Sequence, residues 1–225
     1  MTPPTLQDLA DWLRAEFGEQ QPLKRAGPSV VRRLALALEP ANLPPTLDAD
    51  ALFIHRSLRV GERWPGLGVL GVHDGFDLAL TTGPNVRLAR TLGWRDVREV
   101  VWKGELKGIT ATPPQDGWAE LQAALHAELG GEDSSWPPAE AAAPLRLALM
   151  NAMNPGLIEH VAAGGVRVYL TGQLRLSASA AAHAHGLGVI ALGHRRTEEW
   201  GLRRLAQELW AAFPGLETEI HAGSS

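Results

Sequence analysis

The sequence contains no cysteine. Disulfides and thiolate metal sites are therefore both excluded, and any metal must be held by His, Asp or Glu. No apolar run approaches the ~18 residues that a membrane-spanning helix requires. There is no basic block either, and a formal charge of −4 argues against nucleic acid as the main partner. Tyrosine occurs once, against eight tryptophans. The tryptophans are scattered and form no stacking stripe, so they read as core or interface anchors. The opening stretch "MTPPTLQDLADWLRAEFG" has the period of an amphipathic helix, not the layout of a signal peptide. The expected location is cytoplasmic, with no membrane partner.

What is present is an ordinary globular balance: 225 residues, 45% hydrophobic and 20% charged. That length suits one large domain or two closely packed halves. The first helix is expected to start near Thr5, with Asp8 completing a partial capping box, and to stop at Gly18. "ADALFIH" reads as a buried strand ending at His55, and "LGVLGVHDGFD" as a strand running into a loop. "PNVRLARTLG" reads as a short helix closed by Gly93, and "VREVVWKG" and "LKGITATP" as paired strands. "DGWAELQAALHAELGG" reads as a helix, and the Pro-, Ser- and Ala-rich "EDSSWPPAEAAAP" as a connector. Beyond it, strands and helices alternate to the end, which implies parallel strands with helical crossovers. The fold class is α/β, in two halves with mostly parallel sheets. The expected boundaries are 1–112 for the N-terminal half, 113–144 for the connector and 145–225 for the C-terminal half, together one globular unit.

"GHRRTEEW" places His194 and Glu198 four residues apart, just past the strand-like "GVIAL" and at the start of an amphipathic helix. The plain reading is a helix-start histidine with Glu198 placed well for the helix dipole. An echo raises the other reading. "GLGVLGVHDGFD" and "GLGVIALGHRRTE" each deliver a histidine past a strand and a carboxylate four residues later. His55, His73, Asp77, His194 and Glu198 thus all fall beyond strand ends, the edge where α/β proteins bind ligands. Such a set could supply a divalent cation with neutral imidazoles and ionised carboxylates. "GLGVLG" also fits G-x-G-x-x-G, but its glycines lie within the strand and no helix is expected after it, so the dinucleotide reading is rejected. "HAH" at 183–185 reads as a solvated helix end, and His126, His160 and His221 as surface residues. Arg203 and Arg204 with Glu208 read as exposed helical pairs.

Four segments in order carry a family resemblance. "DADALFIHRSL" resembles a strand followed by a double-His motif, and "GVHDGFDLALTTGPNVRLARTLGW" a His-x-x-x-Asp segment followed by a small helix. "VYLTGQ" resembles a Thr-Gly-acid turn, and "GLGVIALGHRRTEEWGLRRLAQEL" a closing Gly-His-x-x-Thr-Glu helix. Together they resemble the NIF-three-like dinuclear metal-centre family, whose bacterial members carry the label GTP cyclohydrolase 1 type 2 homologue. The resemblance runs from about Thr5 to Phe213. It implies two intertwined α/β halves with a metal site between them and a homo-oligomer, a hexameric ring. Carried over by position, the metal ligands would be His55, Asp77, His194 and Glu198, with His73 close by.

Three departures stand out. Arg56 occupies the position of the family's second histidine, and an arginine cannot ligate a cation. Gln173 replaces the acid of the Thr-Gly-acid turn, and "NAMNPG" replaces a Gly-rich turn upstream. The ligands left suit one firmly held metal, or a weakly binding site, better than two. The expected cofactor is a divalent ion (Zn, Mn or Fe), one or two per chain. The expected function is a metal-dependent hydrolase or cyclohydrolase acting on a small nucleotide-like substrate. Glu198 and His73 would move protons, and Arg56 would bind a substrate phosphate or carboxylate. The alternative is a non-catalytic hexameric scaffold or adaptor with a decayed metal site.

Overall fold

Local signals fix the ends of the first helix, α1 (Leu6–Phe17). The Thr5 hydroxyl accepts from the Asp8 N–H at 3.0 Å, and the Asp8 carboxylate accepts from the Thr5 N–H at 2.8 Å, a complete capping box. Gly18 closes the helix in the left-handed region, at φ 69°. The computed structural model describes residues 2–140 and 144–222. Residues 141–143 of the expected connector, and the terminal residues 1 and 223–225 of the two expected halves, lie outside the described residues.

After α1 come strands β1 (Leu23–Arg25), β2 (Arg33–Ala37), β3 (Ala51–Ile54) and β4 (Gly68–Leu70), then helices α2 (Asp74–Leu80) and α3 (Val86–Thr91). The hairpin β5 (Arg95–Trp102) and β6 (Glu105–Thr112) follows, then α4 (Trp118–Leu129) and β7 (Ser134–Trp136). The remainder runs β8 (Leu147–Met150), α5 (Pro155–Ala163), β9 (Val168–Thr171), α6 (Leu176–Ala184), β10 (Gly188–Ala191), α7 (His194–Ala212) and β11 (Glu217–His221). This is a mixed α/β chain with two sheets, the expected class. It divides into one unit of Met1–Asp77 with Glu198–Ser225, and a second of Leu78–Thr197. The chain passes from one to the other within α2 and again within α7.

In the first unit the strand order is β1-β4-β3-β2-β11. The β4-β3-β2-β11 pairings are parallel, and β1 is antiparallel at the edge. All four residues of β3 are buried, the continuous apolar run expected of an inner parallel strand. Ala35, Ala37, Leu52, Ile54 and Val69 pack with Val60 and Trp64 in its core. The edge strand β11 was not apparent in the sequence: "ETEIH" is largely exposed and gains its strand character from pairing with β2.

The second unit holds the order β5-β6-β8-β9-β10-β7. Strands β8, β9 and β10 are parallel, joined by crossovers through α5 and α6, while β5, β6 and β7 pair antiparallel. The stretch 113–144 contributes α4 and also β7, whose Trp136 lies opposite Val189 of β10. Tyr169, fully buried, donates its hydroxyl to the Ala152 carbonyl at 2.5 Å, and burial pushes its pKa upward. Among the described residues no helix is long and apolar enough to cross a membrane.

One local expectation is corrected. Residues 74–80 form a helix, not a loop. The "DG" pair suggests a turn, yet Gly75 is needed for closeness: a Cβ there would lie 2.0 Å from the Phe17 carbonyl oxygen. Two glycines of "GLGVLG" are explained the same way, since a Cβ on Gly68 would strike the Leu6 side chain and one on Gly71 the Ser57 hydroxyl, while Gly66 turns the chain at φ 88° with open space around it. A helix does follow the motif, so the rejection of the dinucleotide reading rests on the other ground, that Gly68 lies within β4.

Candidate metal centre

The parallel neighbours β3 and β4 pair with Phe53 opposite Leu70, so their carboxyl ends lie side by side. His55 follows the first and His73 the second. The His55 ring is 1% exposed, and its Nδ1 sits 3.0 Å from the Val72 carbonyl oxygen. A carbonyl can only accept, so Nδ1 carries the proton and Nε2 is the free position of the neutral ring. The His73 ring stacks on it, centroids 4.6 Å apart and planes within 1°. His73 Nδ1 lies 2.8 Å from the Asp74 carboxylate, which orients that ring as well. One turn into α2, the Asp77 N–H donates to the His73 carbonyl at 2.9 Å, and Asp77 Oδ1 lies 3.2 Å from His55 Nε2. Phe76, fully buried, closes the apolar side with its ring 4.6 Å from that of His55.

His55, His73 and Asp77 each offer a ligand atom, all within 4.8 Å of one another. Bonds of about 2.1 Å to one ion bring its ligand atoms to about 3–4 Å separation, so the group is nearly at coordinating geometry. A second feature points the same way. His55 Nε2 faces Asp77 at 3.2 Å and Glu198 Oε1 at 3.4 Å, yet has no hydrogen-bond partner among the described residues. A lone pair aimed at two carboxylates is repulsive unless a proton or a cation stands between them. Burial lowers the His55 pKa, but the Asp77 and Glu198 carboxylates outweigh it and raise it to about 9. The metal-free centre thus keeps a proton where a metal would bind. Two imidazoles and a carboxylate suit zinc, manganese or iron.

Arg56 stands beside this group. Ala37 of β2 lies opposite Ile54 of β3, so Glu39 and Arg56, each two residues further on, emerge together. Arg56 Nη1 donates to Glu39 at 3.0 Å and Nη2 to Glu198 Oε1 at 2.5 Å. The Glu198 side chain is 2% exposed, the Arg56 side chain 32%. In front lies a cavity of about 560 Å³ lined by both histidines, Arg56, Glu39, Lys24, Ser57 and Arg59, among others.

Residues 65–224 match the family described as Duf34/NIF3 (NGG1p interacting factor 3). The chain belongs to the NIF3 family. A curated relative from Pseudomonas aeruginosa, "GTP cyclohydrolase 1 type 2 homolog", is 31% identical over 156 residues, 65% of this chain. The chain spans 58% of the length of that relative. Two solved structures share the NIF3-type fold. Protein ybgI, titled as of unknown function, has a TM-score of 0.72 at 19% identity, covering 96% of this chain and 97% of its own. Reduced HcgD from Methanocaldococcus jannaschii has a TM-score of 0.69 at 17% identity, with the same coverages of 96% and 97%.

Of the residues singled out in the sequence, the first unit contains His55, Arg56, His73, Asp77 and Glu198. His73, expected as a proton carrier beside the metal, stands in the ligand group itself. His194 opens α7 and belongs to the second unit. There it lines a cavity of about 530 Å³ with Asp133, Asn151, Thr171, Gln173 and Arg175, among others. Gly193 before it has φ 90°, the backbone freedom its position demanded. His126 is not isolated: it lies 2.9 Å from Glu132, and His221 lies 3.4 Å from Glu219. Sequence reasoning missed three contributors: Asp74, Glu39 and the Val72 carbonyl. Asp74 was visible as the neighbour of His73. Glu39 becomes visible only once the β2–β3 register is known, and a backbone carbonyl leaves no sequence signal.

Proposed function

We propose that this protein is a metal-dependent hydrolase, cyclohydrolase-like, acting on a small nucleotide-like substrate. The observation that carries the reading is His55: a buried imidazole locked by Val72, with Nε2 turned toward two carboxylates and without a hydrogen-bond partner among the described residues. A divalent cation held by His55, His73 and Asp77 would act as a Lewis acid and make water a usable nucleophile near neutral pH. Glu198, buried 3.4 Å from His55 Nε2, would take up a proton from the attacking water and return it to the leaving group. Arg59, and Lys24 beside Glu19, give the cavity cationic groups suited to a phosphate or carboxylate, while Arg56 is held by Glu39 and Glu198. The name of the Pseudomonas relative supports a nucleotide-like substrate. A homo-oligomeric assembly, a hexamer, belongs to the same proposal and is read by light scattering on a sizing column.

The test is metal content by plasma mass spectrometry on protein purified without chelators or affinity metal, with His55→Ala beside it. The expected result is bound metal in the wild type, lost in the variant. Metal-stimulated hydrolysis is then screened over nucleotides, GTP first, and over phosphoesters. No bound metal after incubation with zinc, manganese and iron would overturn the reading. Equal metal content in His55→Ala would move the site elsewhere.

A further inference from the structure

The Glu198 carboxylate is 2% exposed, and a buried carboxylate requires a counter-cation. Arg56 already supplies one at 2.5 Å, and a second bond at 3.0 Å to Glu39 fixes the guanidinium in place. The oxygen that receives it, Oε1, is the same one that lies 3.4 Å from His55 Nε2. We propose that Arg56 is a resident cation of the centre, which neutralises Glu198 and Glu39 and restricts each chain to a single divalent metal on His55, His73 and Asp77. This inference rests on the metal-centre reading above.

Charge counting decides between one metal and two. The carboxylates that face His55 and Arg56, those of Asp77, Glu198 and Glu39, bring three negative charges, while Asp74 beside His73 is fully exposed and screened by water. One guanidinium and one divalent cation cancel them. A second divalent ion would leave two positive charges uncompensated around a histidine that is 1% exposed, where screening by water is weak. A second ion drawn to Glu198 would also share a carboxylate already held by a charged donor, close to the guanidinium. Arginine keeps its proton under all ordinary conditions, so this block cannot be lifted by a change of pH. Replacing Arg56 by a neutral ligating side chain removes the competing charge and adds a nitrogen, leaving Glu39 and Glu198 in need of a cation.

The experiment counts zinc per chain, by isothermal titration and by plasma mass spectrometry after removal of excess metal. It uses untagged wild type, R56H, R56Q and R56K. The expected result is one equivalent in wild type and R56K, and two in R56H, with R56Q binding a second zinc at least ten-fold tighter than wild type does. R56Q retains a hydrogen-bond donor toward Glu198, so it keeps the question answerable if R56H fails to fold. Two tightly bound equivalents in wild type would overturn the inference, as would one equivalent in both R56H and R56Q with no gain in affinity for a second. The two claims fail separately. Zinc absent from wild type but bound by R56H would sink the three-ligand reading and leave Arg56 as the excluding cation. Zinc absent from every form would sink both.

Discussion

Arg56→Met is the perturbation whose size the structure fixes best. It removes the donor 2.5 Å from a carboxylate whose side chain is 2% exposed, and leaves that charge buried. Breaking a buried pair by removing one partner costs about 3–5 kcal/mol. Two features place this site near the lower bound. Arg56 itself is 32% exposed, and the protonated His55 ring remains 3.4 Å from Glu198 to offset part of the loss. A loss of about 3 kcal/mol corresponds to a Tm lowered by about 6–12 °C in a chain of this size. Glu198→Gln should cost less, about 1–2 kcal/mol, because the amide oxygen still accepts from Arg56 and no uncompensated carboxylate stays behind. The double variant Arg56→Met with Glu198→Leu removes both charges and should return most of the stability. Urea denaturation of wild type, Arg56→Met, Glu198→Leu and the double variant, with EDTA present throughout, gives the coupling directly as a double-mutant cycle. An Arg56→Met protein within about 1 kcal/mol of wild type, or a double variant weaker than the sum of the single losses, would refute the assignment of Glu198 as a buried anion held by Arg56.

Two further outcomes follow from the same geometry. Asp74→Asn weakens the hydrogen bond that orients His73 and should lower zinc affinity by about 10–100-fold without unfolding the protein; an unchanged dissociation constant would show that Asp74 merely lies next to the ring. The pH dependence of stability has a definite sign. The folded, metal-free protein holds His55 at about 9, above its ordinary value of 6.5. The stability this contributes is complete below pH 6.5 and drains away as pH rises toward 9. In EDTA the Tm should therefore fall across that window, and the fall should flatten in His55→Gln. With saturating zinc the trend reverses, since the ligands must lose their protons to bind. A chelated wild type whose Tm is level between pH 6.5 and 9 would contradict the raised pKa.

Much of the fold was legible because periodicity and punctuation agreed. α1 is bracketed by Thr5 and Gly18, α5 by the Asn154 cap and Gly164, and β3 and β9 are short runs buried at every residue. Reading failed where tertiary contact overrode local preference. The sequence "DGFDLAL" carries a turn signal, yet it is a helix whose glycine is imposed by the Phe17 carbonyl. The strand β11 exists because β2 offers it an edge. Neither cause is local.

The helix at 74–80 makes the two echoing segments correspond closely. In one, β4 is followed by His73 and then α2, with Asp77 four residues beyond the histidine; in the other, β10 is followed by His194 at the start of α7, with Glu198 four beyond. Both are strand, short turn and helix with a histidine at the junction. The match in chemistry is therefore also a match in backbone. Arg56 shows the opposite limit. The sequence marked it as a residue unable to bind metal and implied a deficit. The structure surrounds it with Glu39 and Glu198, so the lost ligand becomes a fixed charge. Whether a substitution at a metal centre removes function or replaces one cation with another depends on the neighbours of the new side chain, and those come from the turn after β2 and from α7.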